Sequence, residues 1–431
     1  MKRLVKILDF ILFFIFNLII GLNPLTSLII SSIFLIGIYA FRTYDTETMN
    51  SLNETIIRVI AGNFVSIIGI TLFHSILGYS ISKVFLYNFI FNIILIPTIH
   101  KIEYMIYIKK APEKRYLVIG RKNEIGHILD EISKKTHGKY KFVKYINPSS
   151  EKLIEILTDE FDFENNRILN TISTNKLNSI VVTDPKLENL VFDNIKELKR
   201  RGIKIEYLPN MAEKHLKRIP LEVFDRFNEY YRVTFENVRE TPTKRILDIL
   251  ISSVALVILS PFMLIIALMI FFEDKLPIIF TQERVGLHEE SFKMHKFRSM
   301  KNRKNEEAKF ATDEQDRVLK IGKIIRPIRL DETLQFYDIL RGAMSFVGPR
   351  PEQVKFVEEY NEMLPQYYAR HKLKTGLTGW AQIMYQYSAT LEQTKVKLSY
   401  DLYYVKNRNI LLDLQIILKT FEAVVWKRGA V

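Results

Sequence analysis

Long apolar runs dominate the first quarter of the chain. Four of them, residues 4–22, 25–41, 56–77 and 84–99, each approach the ~20 residues that an α-helix needs to cross a hydrocarbon core of ~30 Å. The pattern predicts four transmembrane helices over residues 1–110. Basic residues orient them: Lys2, Arg3 and Lys6 precede the first run, Arg42 and Arg58 lie in the loop after the second, and Lys101, Lys109, Lys110, Lys114 and Arg115 follow the fourth. Cytoplasmic loops carry the excess of Lys and Arg, so these ends are expected to be cytoplasmic and the turns at 21–24 and 79–83 to face outward. No small-residue cleavage site follows the first run, which argues against a signal peptide.

A fifth run, residues 246–272, opens after Lys244-Arg245, contains Asp248 and is interrupted at Ser260-Pro261. As a simple crossing helix it would leave Arg284, Lys293, Lys296, Arg298, Lys301, Arg303 and Lys304 on the outer side, against the charge rule. Proline inside a helix removes one backbone hydrogen bond and crowds the preceding turn. The expectation is a re-entrant helix over 244–272, broken at Ser260 and Pro261, with both ends cytoplasmic. A proline-kinked spanning helix is the alternative.

Between these regions the period changes. Residues 116–120, 140–146, 179–183 and 203–207 read as strands, and 124–135 and 187–201 as helices, which predicts a small parallel α/β, Rossmann-like domain over 111–212. Its first turn, Gly120-Arg121-Lys122-Asn123-Glu124-Ile125-Gly126, sits where a dinucleotide-binding loop would lie but lacks the middle glycine. Nucleotide binding there stays open beside a structural, regulatory or dimerising role. Residues 213–243, charged and aromatic with Tyr230, Tyr231 and Phe235, read as a linker near a membrane surface.

Composition narrows the partners. A chain of 431 residues has room for two or three domains, and its net charge of +14 suits nucleic acid, anionic lipid or a phosphorylated substrate. The apolar runs favour lipid and phosphate over nucleic acid. The absence of cysteine excludes disulfides, Cys-ligated zinc and thiol catalysis.

Beyond Pro277 the residues point to phosphate chemistry. Arg284, Arg298, Arg326, Arg329 and Arg350 supply guanidinium forks that match phosphate oxygens. Asp331 and Glu332 divide naturally into an aspartate that attacks phosphorus and a neighbour that holds Mg²⁺. Taken alone, an Asp-Glu pair is better explained by an exposed helix start.

Further motifs accompany that pair: Lys244-Arg245-(x)₂-Asp248, Ser260-Pro261, Phe280-Thr281-Gln282-Glu-Arg284-Val-Gly286, Lys296-Phe297-Arg298-Ser299-Met300, Leu330-Asp331-Glu332, Ser345-Phe-Val-Gly348-Pro349-Arg350-Pro351, Gly376-Leu-Thr378-Gly379-Trp380 and Tyr400-Asp401-Leu-(x)-Tyr404. In this order they resemble the bacterial sugar transferase family, the polyprenyl-phosphate phosphoglycosyl transferases, from Lys244 to the C-terminus. The helical and α/β regions before them resemble its long form. The resemblance implies a membrane α-helical bundle, an α/β middle domain and a mainly α-helical catalytic domain over 244–431 with a re-entrant helix. Asp331 would attack the β-phosphorus of a UDP-sugar and release UMP, and undecaprenyl phosphate would take the sugar phosphate from the carboxylate. Glu332 would bind Mg²⁺, Arg326 and Arg350 would grip phosphates, and Lys296 and Arg298 would help. The implied setting is the bacterial inner membrane, with the catalytic domain cytoplasmic, in the first membrane step of exopolysaccharide, capsule or O-antigen synthesis. Three positions depart from the family pattern: Leu334, Ala343, where a supporting carboxylate is usual, and Thr375.

Other readings remain at this point. A transferase moving only the sugar would release UDP, a dehydratase would use Tyr368 and Lys372, and a membrane scaffold would need no chemistry. A transporter would need more spanning helices with charged residues inside them, which the runs do not suggest. The amphipathic run 410–426 fits either the headgroup plane or a protein core. The sugar and the final glycan cannot be named from the residues, and a homodimer through the α/β domain is open.

Overall fold

The computed structural model describes residues 2–41, 43–72, 81–146, 177–189, 192–200, 202–301, 317–385 and 390–425, so Arg42, Arg303, Lys304, Trp426 and part of the 79–83 turn fall outside the account. The chain divides into two compact units, Met1–Pro112 and Glu113–Val431.

The first unit is helical: α1 (Lys2–Ile19), α2 (Pro24–Ala40), the short α3 (Thr46–Asn50), α4 (Leu52–Leu72) and α5 (Ile81–Lys110). Asn23 starts α2 by accepting from the Thr26 amide at 2.8 Å, with Pro24 in the first turn. The usual distribution is inverted. Leu4, Ile7, Ile11, Ile15 and Ile19 point outward, whereas Asp9, Asn17, Ser31, Asn63, Asn88, Asn92 and His100 are fully enclosed. An apolar exterior over a hydrogen-bonded polar interior suits lipid, where every buried polar group must find a partner within the protein. Helices α2 and α4 cross closely: a Cβ on Gly62 would sit 2.8 Å from the Gly37 carbonyl oxygen, so glycine is required there. Among the described residues three helices are long and apolar enough to cross a membrane, Leu52–Thr71, Lys83–Lys110 and Pro242–Asp274. The other two expected spans fall short by those criteria, α2 with 17 residues and α1 with Lys2, Arg3, Lys6 and Asp9 among its 18. The expectation that the helices carry no ionisable residues inside them is corrected by Asp9 and His100.

The second unit begins with a four-stranded parallel sheet of β1 (Lys114–Ile119), β2 (Tyr140–Ile146), β3 (Ser179–Val182) and β4 (Lys204–Tyr207), in the order β2-β1-β3-β4. Helices α6 (Lys122–Lys135), α7 (Pro185–Asn189) and α8 (Phe192–Arg200) connect the strands. Where a dinucleotide loop would open, Arg226 reaches over from a later helix to pair with Glu124 and lies 3.5 Å from Asp184. Residues 213–243 are not a linker. They contribute α9 (Leu208–Leu216), α10 (Leu221–Arg226) and α11 (Asn228–Glu236), whose Phe224, Tyr231 and Phe235 stack in one core with Tyr116 of the sheet and with Trp380 and Leu402 of the C-terminal region. Aromatic residues read as membrane-facing are there because that core needs their area.

Next comes α12 (Pro242–Asp274), 33 residues long and largely exposed apolar surface. Helical backbone runs through Ser260 and Pro261. Pro261 leaves the Val257 carbonyl without its usual amide, and the Ser260 hydroxyl donates to that carbonyl at 2.9 Å. Both ends of α12 are attached to the second unit. At the start, Lys244 Nζ donates to Asp413 at 3.1 Å and Arg245 donates to the Ile339 and Leu340 carbonyls at 2.6 Å each. At the finish, Glu273 accepts from the Lys320 and Ile321 amides at 2.6 and 3.0 Å.

The remainder is mostly helical around two small sheets. Strands β5 (Ile279–Val285) and β6 (Ser291–Phe297) form an antiparallel hairpin, and β7 (Ser345–Val347) pairs with β8 (Gly376–Thr378) in parallel. Helices α13 (Lys320–Ile325), α14 (Gln335–Arg341), α15 (Val354–Met363), α16 (Trp380–Met384), α17 (Leu391–Asn407) and α18 (Ile410–Val425) complete the chain. Leu412 and Ile416 of α18 are buried in the shared core, and Asp413 meets Lys244, so this face of the C-terminal run packs inward.

Candidate active site

The acidic pair lies on a turn that the backbone forces. Helix α13 ends at Ile325, Arg326 continues in helical geometry, and Arg329 takes a left-handed conformation with φ 55° before a single 3₁₀ turn, Leu330–Glu332. A left-handed arginine costs about 1–2 kcal/mol, and such strain concentrates at functional turns.

Strand β6 brings Lys296 to the pair. The strand is fixed against α14 by Asp338, which accepts from the His295 amide at 2.8 Å and lies 2.7 Å from its Nδ1. Lys296 Nζ then donates to Glu332 Oε1 at 3.0 Å.

A third segment carries Arg350. Its loop crosses the 375–379 loop backbone to backbone, and a Cβ on Gly348 would lie 2.3 Å from the Lys374 carbonyl oxygen. Three clamps hold the loop: Arg370 donates to the Arg350 carbonyl at 2.9 Å, Arg284 donates to the Pro351 carbonyl at 3.2 Å, and the Val285 amide donates to the Glu352 carbonyl at 3.0 Å. Beneath it, Lys397 pairs with Glu352 at 2.8 Å and Arg370 with Asp401 at 2.9 Å.

These elements make two neighbouring carboxyls unlike each other. Glu332 is buried and ringed by Lys296 at 3.0 Å, Arg329 at 3.6 Å and Arg350 at 3.8 Å. Burial alone would raise its pKa, but these cations outweigh burial and hold the carboxyl at about 2. Asp331 is half-buried and forms no ion pair among the described residues. Burial first, and then the Glu332 charge, push its carboxyl up to about 6 against the pull of Lys296 and Arg326. A pair whose environments drive the two pKa values apart is suited to two separate roles. Arg326 Nη1 is buried without a partner among the described residues, a donor available to an anion.

Sequence reasoning is met unevenly here. Asp331, Glu332, Lys296, Arg326 and Arg350 come together. Arg298 goes elsewhere: its guanidinium donates to the Asp274 and Lys275 carbonyls at 2.7 and 3.0 Å and caps the C-terminal end of α12. Ser260 and Pro261 lie within the apolar helix. Glu352, Lys397, Arg370 and Asp401 were missed as supports, although Glu352 directly follows Pro351 and Asp401 stands in the Tyr400–Tyr404 motif.

Two adjacent carboxylates are not a self-sufficient metal cage, and among the described residues no group of three or more His, Cys, Asp or Glu side chains is arranged to hold a metal ion. They do meet the smaller requirement of Mg²⁺, which takes one or two carboxylates and completes its shell with water and substrate phosphates.

Asp331 thus stands beside Glu332, which Lys296 and Arg350 hold, on a unit that also carries a long exposed apolar helix. The bacterial sugar transferase family model matches residues 239–427, and the chain belongs to that family. It is 42% identical over 188 residues to a UDP-N-acetylgalactosamine-undecaprenyl-phosphate N-acetylgalactosaminephosphotransferase of Aeromonas hydrophila, covering 43% of this chain and 44% of that protein. It is also 42% identical over 180 residues to a UDP-glucose:undecaprenyl-phosphate glucose-1-phosphate transferase of Klebsiella pneumoniae, covering 41% and 39%. The match to the exopolysaccharide production protein PSS of Rhizobium leguminosarum bv. phaseoli is 37% identical over 184 residues and covers 92% of that protein. The aligned stretch is thus less than half the length of the first two relatives.

Proposed function

We propose that the chain transfers a sugar 1-phosphate from a UDP-sugar to undecaprenyl phosphate through an aspartyl intermediate. The observation that carries this reading is the contrast between Asp331, a half-buried carboxyl without an ion pair, and Glu332 beside it, bound by three cations. An Asp331 oxygen attacks the β-phosphorus, the bond from that phosphorus to the bridging oxygen breaks, and UMP departs with the electron pair. Undecaprenyl phosphate then attacks the same phosphorus, giving undecaprenyl diphosphosugar and restoring the carboxylate. Attack requires the ionised form, which Asp331 adopts above about pH 6. Arg326 and Arg350 receive phosphate oxygens, Lys296 orients Glu332, and Arg298 acts at a distance by fixing the end of the apolar helix. Glu332 would hold Mg²⁺, which when bound screens the diphosphate charge and stabilises the departing phosphate.

The re-entrant reading of α12 belongs to this proposal, as does the placement of the catalytic region on the cytoplasmic face of the inner membrane. It is supported by the attachment of both helix ends to one folded unit, through Lys244 and Arg245 at one end and Glu273 at the other. A straight 33-residue helix would be ~50 Å long and would carry those ends to opposite faces. A homodimer through the α/β sheet is the remaining element, checked by particle mass in nanodiscs.

Nucleotide release in nanodiscs, with undecaprenyl phosphate, Mg²⁺ and a panel of UDP-sugars, tests the reaction. UMP that disappears in Asp331→Asn supports it and names the donor. UDP would make the protein a sugar-only transferase, and no release with any donor would leave a scaffold.

A further inference from the structure

The first unit encloses ionisable groups that the proposed reaction does not use. Asp9 of α1 and His100 of α5 are both fully buried, with Asp9 Oδ2 2.8 Å from His100 Nε2. Tyr44, from the turn between α2 and α3, packs its ring 5.0 Å from the imidazole centroid. Glu103, one turn beyond His100, is electrostatically coupled to both Asp9 and His100. Lys6 stands at the rim, its ammonium 3.8 Å from the Tyr39 ring centroid and 5.6 Å from that of Tyr44. Helix α4 adds no free charge, because Arg58 is bound to the Phe41 carbonyl and to Glu54.

Four buried polar atoms in this enclosure have no hydrogen-bond partner among the described residues: Asp9 Oδ1, His100 Nδ1, Glu103 Oε2 and the Tyr44 hydroxyl. A carboxylate only accepts, so Asp9 makes Nε2 the donor, and a neutral imidazole then keeps Nδ1 as an acceptor. The Tyr44 hydroxyl has a hydrogen to give to Asp9, which leaves His100 Nδ1 and Glu103 Oε2 without a donor. One proton on the imidazole turns Nδ1 into a donor and places a positive charge between two carboxylates. Both changes relieve what burial makes costly, an unpaired polar atom and an uncompensated charge.

We infer that Asp9, Tyr44, His100 and Glu103 form a proton-binding site, and that the proton held on His100 clamps α1 to α5 at the basic end of the bundle. The opposite end is held differently. There Asn88 Nδ2 donates to Asn17 Oδ1 at 2.9 Å and Phe16 stacks on Phe91 at 3.9 Å, contacts that do not titrate. The clamp therefore responds to proton activity at one end only.

The test uses the full chain in nanodiscs with ¹⁵N-histidine, near pH 7.5, where an exposed imidazole is mostly neutral. The His100 signal is assigned by its loss in His100→Gln. Both ring nitrogens of His100 are expected to carry hydrogen, and Asp9→Asn with Glu103→Gln should return His100 to a singly protonated ring. A neutral His100 in the unaltered protein overturns the inference. So does a signature that vanishes when alkali cations are replaced by choline, since the ligand would then be a metal cation. Hydrogen exchange provides an independent reading: Asp9→Asn should speed exchange around residue 9 by about tenfold and leave the region of Asn17 unchanged. Equal acceleration along α1 overturns the clamp.

Discussion

Two regions of the second unit bury carboxylates beside cations, and they treat them in opposite ways. At the start of the apolar helix, Asp413 accepts from Lys244 at 3.1 Å and from the Tyr404 hydroxyl at 2.7 Å, and Asp248 accepts from the Ser345 hydroxyl and the Phe346 amide at 3.0 Å each. Each of these acids has defined donors, and the cluster has no positive-φ residue in it. At the 326–332 turn, Asp331 is left without an ion pair, Arg326 keeps an unpartnered nitrogen and Arg329 is strained. The first arrangement is finished and holds a helix; the second keeps a carboxyl without an ion pair and a guanidinium nitrogen without a partner among the described residues. Burial of charge alone therefore does not distinguish structure from chemistry.

That contrast can be broken from either side. Asp331→Asn should reduce UMP release on the order of 10⁴-fold, as loss of a nucleophile does. The folded-state pKa of Asp331 is about 6, above its ordinary 3.8, so its ionised form disfavours folding at neutral pH; the same variant should melt no lower than the parent and somewhat higher. Melting well below the parent would mean Asp331 is structural.

Lys244→Met strands two buried carboxylates and should cost ~3–5 kcal/mol in unfolding stability. Adding Asp413→Leu should restore part of it, and a neutral single substitution would remove the anchor reading. A smaller effect concerns pH. Activity should fall about tenfold per unit below pH 6, and Glu332→Gln should move that midpoint downward, because it removes a negative charge that raises Asp331. An unmoved midpoint would show that another group sets it. Smallest is Arg329→Gly, expected to stabilise by up to ~1 kcal/mol through relief of its left-handed backbone while weakening the grip on Glu332. Destabilisation would show that its side-chain contacts outweigh the strain.

Much of this was legible in the sequence for reasons of period. Apolar runs marked the helices of the first unit, and alternation marked the parallel strands, because both are local patterns. The 326–332 turn was legible because its residues are contiguous. What escaped depends on distant pairs: Lys244 with Asp413, Arg370 with Asp401, and Arg298 with the end of α12. Residues 213–243 misled because aromatic and charged neighbours look alike at an interface and in a core. At Pro261 the sequence showed the missing amide but not the Ser260 hydroxyl that takes up the Val257 carbonyl in its place.

Lys296 of strand β6 and Arg298 just beyond its end lie two positions apart, one holding Glu332 and the other the last carbonyls of the apolar helix. Those grips are separated by only ~7 Å of extended backbone, so the strand acts as a short rigid lever. A displacement of that helix end is therefore felt two residues away from Lys296, the group that holds Glu332.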